Sequence, residues 1–297
     1  MTEKIPFELG FYGGETDEAE IDLYDVSVAL AGFNRSLALT THLILNGEII
    51  VQAPGLQGAQ IRASLPVEGS WKLPIYLTIS ATALYNLGTA PKDTPLGHLI
   101  YSGYDYVVKQ SLGFHVDYDD SLGESYEKAK KNELNIKKVE QYKFDSLIEK
   151  CETSIKDIHR PINGQGTAEV ARIKGVTKKQ KLKKIGSDFD ENTYDYIKQS
   201  IRSKKAKKLY GRVSSYNSNT YSGRIFVPAV CFAVPFRLSL AAKNHVSISI
   251  ITASLVASAQ VEDNSEEGFI YFNAFKNTSI NGRIKSYDII EVLLPGT

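Results

Sequence analysis

Lysine and arginine residues gather in the second half of this sequence, and their clustering, though not their spacing, points to binding chemistry. Residues 172–208 contain thirteen bases and four acids, a formal balance of +9, whereas residues 1–31 contain eight acids and one lysine, a balance of −7. A positively charged surface attracts phosphate, anionic membrane or an acidic protein face. Five tyrosines lie near these bases along the chain: Tyr194, Tyr196, Tyr210, Tyr216 and Tyr221.

We predict that this basic region binds nucleic acid, because lysines and arginines contact phosphates and exposed aromatic rings stack on nucleobases. The predicted contact residues are Lys178, Lys179, Lys181, Lys183, Lys184, Arg202, Lys204, Lys205, Lys207, Lys208 and Arg212. An interpretation of equal weight is a solvated helical linker that keeps the protein soluble. A further hypothesis is a protein–protein scaffold or a homo-oligomer, in which the acidic amino-terminal region of one chain meets the basic region of another.

A third hypothesis is an enzyme or ligand sensor with a pocket near Arg35, His42 and Trp71. Arg35 and His42 lie seven residues apart on one face of a predicted helix. With Trp71 and its neighbours in the turn at 68–71, they could line a pocket. Purely structural roles are more frequent for residues of these types.

Cofactor and catalytic motifs are missing from the sequence. The five histidines are scattered, and the aspartates at 117–120 lack the glycine and glutamate of a calcium-binding loop. The Gly10–Gly14 segment is not followed by the Lys-Ser/Thr pair of a phosphate loop. We therefore predict no cofactor, no metal and no catalytic residue, and favour a non-enzymatic binding protein.

The expected localisation rests on the start of the sequence, the apolar runs and the two cysteines. The start of the chain lacks a basic segment followed by an apolar one, as a signal peptide would have. The apolar runs at 226–240 and 246–259 contain prolines, an arginine or several serines, and neither qualifies as a membrane span. Cys151 and Cys231 are isolated. We expect a cytoplasmic protein with reduced thiols and no membrane partner.

The predicted helices and strands that must position these residues indicate an α+β protein. A length of 297 residues suggests two domains. An amino-terminal antiparallel sheet with helices is expected over 1–165, a basic helical connector over 166–208, and a five-stranded small β-barrel of SH3-like or OB-like size over 209–297. In the first domain, helical periodicity over Asp22–Leu45 follows a strand at 5–12. A short strand is expected at 48–52, and Pro74 indicates that the strand at 73–79 either lies at an edge or starts late. In the barrel, a helix is favoured at 244–260.

Two stretches resemble a known family. The segment from Leu23 through Gly32-Phe33-Asn34-Arg35-Ser36-Leu37 to Gly69-Ser70-Trp71 is similar to the amino-terminal half of an uncharacterised bacterial two-domain family. The motif Tyr210-Gly211-Arg212-Val213, with Gly223-Arg224-Ile225 and Val234-Pro235-Phe236, is similar to its carboxy-terminal half. The resemblance implies a bacterial or phage origin and a role as an accessory subunit in antiviral defence or a mobile element, and it transfers no activity.

Overall fold

A computed structural model describes residues 3–64, 71–87, 95–132, 135–176, 182–260, 267–280 and 282–293. The chain divides into two compact units, Met1–Ile197 and Lys198–Thr297, which we call unit 1 and unit 2. The protein is α+β, with an antiparallel sheet in unit 1 and a closed five-stranded barrel in unit 2. The expected fold class is therefore confirmed.

Unit 1 is built on an antiparallel sheet of five strands in the order β2-β3-β1-β4-β5. The strands are β1 (Glu3–Tyr12), β2 (Ala59–Ala63), β3 (Lys72–Ile79), β4 (Val170–Val176) and β5 (Leu182–Phe189). Alternate side chains of β1 are buried, as expected for a sheet with one face on the core, and they are Ile5, Phe7, Leu9 and Phe11. The strand thus presents its other side chains, from Lys4 to Tyr12, on the opposite face.

The helices of unit 1 complete its core. They are α1 (Leu23–Asn46), α2 (Ala81–Asn86), α3 (Pro95–Ser111), α4 (Glu124–Lys131), α5 (Gln141–Asp157), α6 (Arg160–Asn163) and α7 (Glu191–Lys198), with a π-helical turn at Asp119–Gly123. Helices α1, α3 and α5 pack against one another. Helix α1 starts and ends as the sequence predicts, because the Asp22 side chain accepts a hydrogen bond from the Asp25 amide and Gly47 closes the helix at φ 71°.

Helix α1 is also long and apolar enough to cross a membrane by length and composition alone. In the structure, 67% of its apolar window is buried inside the protein. Its side chains, among them Phe33, Leu37 and Leu43, belong to the core of unit 1. The packing of unit 1 thus accounts for the apolar character of this helix.

Two buried polar groups tie the helices of unit 1 to its loops. The Asp25 side chain, 1% exposed, accepts hydrogen bonds from Arg160 Nε at 2.7 Å and from the Gln165 amide at 2.7 Å. His159 is fully buried, with Nδ1 at 3.1 Å from the Ile155 carbonyl oxygen and Nε2 at 3.0 Å from Thr193 Oγ1. Burial lowers the pKa of His159 to about 4, so the ring is neutral at pH 7.

Unit 2 is a barrel closed by five strands in the order β7-β8-β9-β11-β10-β7, where β9 and β11 are parallel and the other pairs antiparallel. Its elements are β6 (Ile201–Arg202), β7 (Lys207–Asn217), β8 (Ser222–Val227), β9 (Phe232–Leu238), α8 (His245–Gln260), β10 (Phe269–Thr278) and β11 (Ile284–Leu293). A first-second-third-fifth-fourth order with a helix between the third and fourth strands is that of an OB-fold. Helix α8 is fixed to the barrel where the Val213 amide donates to Ser254 Oγ at 3.0 Å.

Several expectations about the connecting segments were wrong. The segment 166–208 is not a helical connector: β4 and β5 belong to the sheet of unit 1, and β6 and β7 belong to the barrel. Of its described residues, those at 166–176 and 182–208, only α7 forms a helix. Strand β5 pairs with β4 over their shared apolar positions, and this pairing overrides the helical tendency of its lysines. Residues 48–52 form no strand, and β3 lies between β2 and β1 rather than at an edge.

Pro74 is accommodated inside the sheet because its carbonyl group still takes part in the strand pairing. The Pro74 carbonyl oxygen accepts a hydrogen bond from the Ser64 amide at 3.0 Å. The ring therefore removes one donor without removing the acceptor on the β2 side. The proline consequently does not force β3 to the edge of the sheet.

Candidate nucleic-acid interface

The outer face of β7 and β10 brings aromatic and basic side chains of unit 2 together. Alternation along β7 turns Val213 into the barrel, and it leaves Lys208, Tyr210 and Arg212 on the outside. On β10, Ile270, Phe272 and Ala274 point inward, and the residues between them point outward. The antiparallel register places Arg212 opposite Phe269, Tyr210 opposite Tyr271, and Lys208 opposite Asn273. We call these outward-facing residues the barrel platform, namely Lys208, Tyr210, Arg212, Phe269 and Tyr271.

The rings of the barrel platform form one continuous aromatic surface. Tyr210 stacks on Phe269 with 4.6 Å between the ring centroids and 14° between the planes. Tyr210 also lies 5.0 Å from Tyr271, at 42°. All three side chains are half-buried, so the sheet holds the rings in place while part of each stays accessible.

Cations border these rings. Arg212 Cζ lies 5.5 Å from the Phe269 ring centroid, and Lys208 Nζ lies 4.8 Å from that of Tyr271. Arg212 Nη1 is buried, and the described part of the chain offers it no hydrogen-bond acceptor. A guanidinium N–H that has lost its water carries a free-energy cost unless an acceptor reaches it. Arg212 as a whole is half-buried, and its positive charge beside the rings favours a bound anion.

A second cation–ring pair extends the barrel platform along β10. Arg202 of β6 lies over the Phe275 ring, with Cζ 4.1 Å from the centroid. Its Nε also contacts Asp288 Oδ2 at 3.3 Å, so this charge is partly neutralised. On the same side, Asn273 Nδ2 donates to Glu291 Oε2 at 2.6 Å. The platform therefore has an acidic border along β11.

The surrounding unit is strongly basic. Residues 198–297 contain thirteen Lys and Arg against six Asp and Glu, a formal balance of +7. Residues 1–197 have a balance of −6. The near-zero charge of the whole chain thus conceals two units of opposite sign.

The structure separates the predicted contact residues into three groups. Lys208 and Arg212 belong to the barrel platform, and Arg202 lies beside it over Phe275. Lys204, Lys205 and Lys207 are exposed just before β7 or at its start. Lys183 and Lys184 belong to β5 of unit 1, where Lys184 Nζ contacts Asp188 Oδ1 at 2.8 Å. Lys178, Lys179 and Lys181 lie outside the described residues.

Sequence reasoning missed two of the three rings of the barrel platform. Phe269 and Tyr271 lie within the barrel predicted over 209–297 but are not among the predicted contact residues, although their alternation with Ile270 and Phe272 is the signal of two differently exposed faces. Phe226 of β8, which pairs with Arg212 across the sheet, was missed in the same way. Of the tyrosines noted in the sequence, Tyr196 is buried in unit 1, and Tyr216 stacks on Phe236 at 6.3 Å.

Arg35, His42 and Trp71 have separate structural partners. Arg35 Nη1 donates to the Lys150 carbonyl oxygen at 2.9 Å and to Ser154 Oγ at 2.7 Å, and so joins α1 to α5. His42, 3% exposed, accepts a hydrogen bond from the Gln57 amide through Nδ1 at 3.2 Å, and burial lowers its pKa. The Trp71 ring packs edge-on against Phe11 at 5.5 Å.

A cavity of about 700 Å³ lies elsewhere in unit 1. It is bordered by the start of β1, by α3, by the π-helical turn and by β5, and its polar lining includes His98, Asp105, Asp120, Glu124 and Lys183. Asp105 is already occupied, since it accepts from the Gly186 amide at 2.7 Å and from Lys109 at 2.8 Å. Across the described ranges, no three His, Cys, Asp or Glu side chains are placed to share a metal ion.

Comparison with known proteins assigns unit 1 to a family. No curated protein and no solved structure matches the chain. A family model described as a domain of unknown function, DUF7946, matches residues 7–198. This range nearly coincides with unit 1. Because the match covers well over half of the sequence, the chain belongs to the DUF7946 family.

Proposed function

We propose that this protein is a non-enzymatic binding protein whose barrel platform binds single-stranded nucleic acid. The observation that carries the proposal is the stack of Tyr210 on Phe269, with Tyr271 beside it and Arg212 and Lys208 at its border. Sequence-tolerant binders of single strands combine aromatic rings, on which bases stack, with cations that follow the phosphates. Single strands are favoured over duplexes because only unpaired bases offer their faces to such rings.

The position and charge of the barrel platform support this assignment. The strand order is that of an OB-fold, an architecture that hosts oligonucleotide and oligosaccharide sites. Those sites typically centre on the second and third strands, whereas the platform centres on the first and fourth, β7 and β10. The formal balance of +7 in unit 2 favours a polyanion over a neutral sugar.

The direct test is fluorescence anisotropy of a labelled dT20 oligonucleotide with the full chain at several salt concentrations. We expect binding at low salt that weakens steeply as salt rises. Replacing Phe269 and Tyr271 together by alanine is expected to weaken binding by about thirtyfold or more, because each of the two lost stacking contacts is worth about 1–3 kcal/mol.

A matched control is Tyr85→Ala, which removes a tyrosine that is 85% exposed on unit 1. This variant is expected to bind dT20 like the wild type. Equal affinity of the platform variant and the wild type would overturn the proposal, as would lack of binding at low salt. A salt-labile oligomer that ignores the oligonucleotide would favour assembly between acidic and basic surfaces instead.

A further inference from the structure

The open face of the unit 1 sheet concentrates positive charge on a unit that is acidic as a whole. The side chains of β1–β5 that point away from the helices include six cations, namely Lys4, Arg62, Lys72, Arg172, Lys174 and Lys184, among the described residues. The described carboxylates on this face are Glu8 and Asp188. We call this surface the sheet face. Its sign is opposite to the formal balance of −6 in unit 1.

Tyr12 lies at the centre of this cationic group. Its ring lies against Gly10, where an added Cβ atom would meet the Tyr12 hydroxyl at 2.8 Å and the ring carbons at 3.0 Å. A side chain at position 10 would therefore displace the ring. The glycine thus allows an aromatic side chain to lie across the strand.

Three cations converge on the Tyr12 ring. Lys72 Nζ, Arg172 Cζ and Lys174 Nζ lie 5.5, 4.9 and 5.2 Å from its centroid. They come from β3 and from β4, on either side of β1. Cations at these distances attract the ring, and their convergence creates a local field that favours an anion.

Neutralisation of the sheet face is incomplete. Lys174 Nζ donates to Glu8 Oε1 at 3.2 Å and to Tyr12 Oη at 2.7 Å, and Arg172 Nε donates to Asp188 Oδ1 at 3.0 Å. Among the described ion pairs, none includes Lys4, Arg62 or Lys72. Lys4 and Arg62 are exposed, as is Tyr76, which lies 6.0 Å from Lys4 Nζ.

We propose that the sheet face is a second nucleic-acid surface, where Lys72 and Arg62 contact phosphates of a single strand and Tyr76 offers a ring to a base. An antiparallel sheet with rings and cations on its open face has the chemistry by which single-stranded RNA and DNA are held. We choose a nucleic acid as the partner because the cations of the sheet face complement the negative charge of its phosphates. This surface is separate from the barrel platform, and it stands whether or not the platform binds.

The test compares charge removal on two sides of unit 1 in the full chain. The Arg62→Ala/Lys72→Ala variant is expected to weaken dT20 binding roughly tenfold and to reduce the slope of log affinity against log salt by about 0.7 for each lost phosphate contact. The control Lys150→Ala removes an exposed lysine of helix α5. It is expected to change the affinity by less than about twofold, because long-range charge effects are screened.

Two further measurements keep the result interpretable. Thermal melting checks that the sheet-face variant folds, and Tyr76→Ala gives an independent loss of affinity without a change in charge. Loss of binding in the platform variant alone, with the sheet-face variants unchanged, would overturn this inference and leave the proposed function standing. Loss of dT20 binding in the sheet-face variants alone, with the platform variant unchanged, would support this inference and overturn the proposed function.

Poly-glutamate competition and light scattering test the other occupants. Poly-glutamate that displaces dT20 equally well per charge would show an acidic-protein surface and overturn the inference. An oligomer that dissociates in the sheet-face variants, without any change in dT20 binding, would show a protein–protein surface and would also overturn the inference.

Discussion

Unit 1 uses buried polar groups to tie its helices and loops together, whereas unit 2 gathers half-buried rings and cations on the outer face of its barrel. In unit 1, Asp25 and His159 lie inside and hold helices and loops together. In unit 2, Arg224 and Ser254 are buried in the same way, but Tyr210 and Arg212 lie half-buried on the outer face of the barrel. The difference indicates where a ligand can bind. Buried polar groups already have partners within the fold and contribute to its stability, whereas accessible groups can contact a ligand.

The inner and outer faces of β10 allow buried and accessible side chains to be compared on one strand. Their substitution gives the largest expected effect on stability. Phe272 points into the barrel and is fully buried, whereas Phe269 points outward. We expect Phe272→Ala to lower the free energy of unfolding of unit 2 by about 3–5 kcal/mol, because it leaves a cavity. Phe269→Ala is expected to cost about 1 kcal/mol or less and to act mainly on oligonucleotide binding.

Urea unfolding followed by far-UV circular dichroism measures this effect. Trp71, the only tryptophan in the chain, lies in unit 1, and its fluorescence reports whether that unit is unaffected. Similar losses of stability in the two phenylalanine variants would contradict the assignment of inner and outer faces.

Asp25→Ala probes the opposite behaviour in unit 1. The change leaves Arg160 and the Gln165 amide without their acceptor, and we expect it to destabilise unit 1 by about 2–3 kcal/mol. The midpoint of the Trp71 fluorescence transition in urea measures the loss. Glu18→Ala, which removes an exposed carboxylate from the same acidic stretch, should leave the midpoint in place. A midpoint in Asp25→Ala that equals the wild type would refute this role.

The pH dependence of unit 1 should follow His159. Its folded-state pKa of about 4 lies below the unfolded value near 6.5, so the unfolded chain binds the proton first as pH falls. Stability is thus fully present above pH 6.5 and is lost as pH falls towards 4, by about 2 kcal/mol between pH 7 and pH 5. Urea midpoints of Trp71 fluorescence at these two pH values measure the loss.

His159→Gln is the control for this prediction. Glutamine does not titrate, so the loss of stability between pH 7 and pH 5 should shrink in the variant even if its stability at pH 7 is lower. An unchanged loss would assign the pH dependence to other groups.

The smallest expected effect concerns a single cation of the barrel platform. Lys208→Ala should reduce the slope of log affinity for dT20 against log salt by about 0.7, the value for one phosphate contact on a single strand. Lys243→Ala is the matched control, since this exposed lysine lies over Tyr221, 4.7 Å from its ring centroid, and is not part of the platform. A slope that does not differ between the two variants would remove Lys208 from the contact.

The sequence was informative where structure is local. Helix α1 could be bounded because Asp22 and Gly47 act on their own neighbours, and the barrel strands could be found because their inward residues alternate. The sequence predicts a helix for the lysine-rich segment that forms β5, because its strand conformation depends on pairing with β4, a non-local contact. The barrel platform could be predicted only in part for the same reason. Tyr210 and Tyr271 are 61 residues apart in the sequence, and only the pairing of β7 with β10 brings them together.

Photo-cross-linking of the full chain to dT20, followed by mass spectrometry of the peptides, tests the central claim most directly. The account predicts adducts on peptides that contain Tyr210, Phe269 or Tyr271, and their loss when Phe269 and Tyr271 are replaced by alanine. Cross-links confined to peptides outside residues 198–297, with dT20 bound, would contradict it.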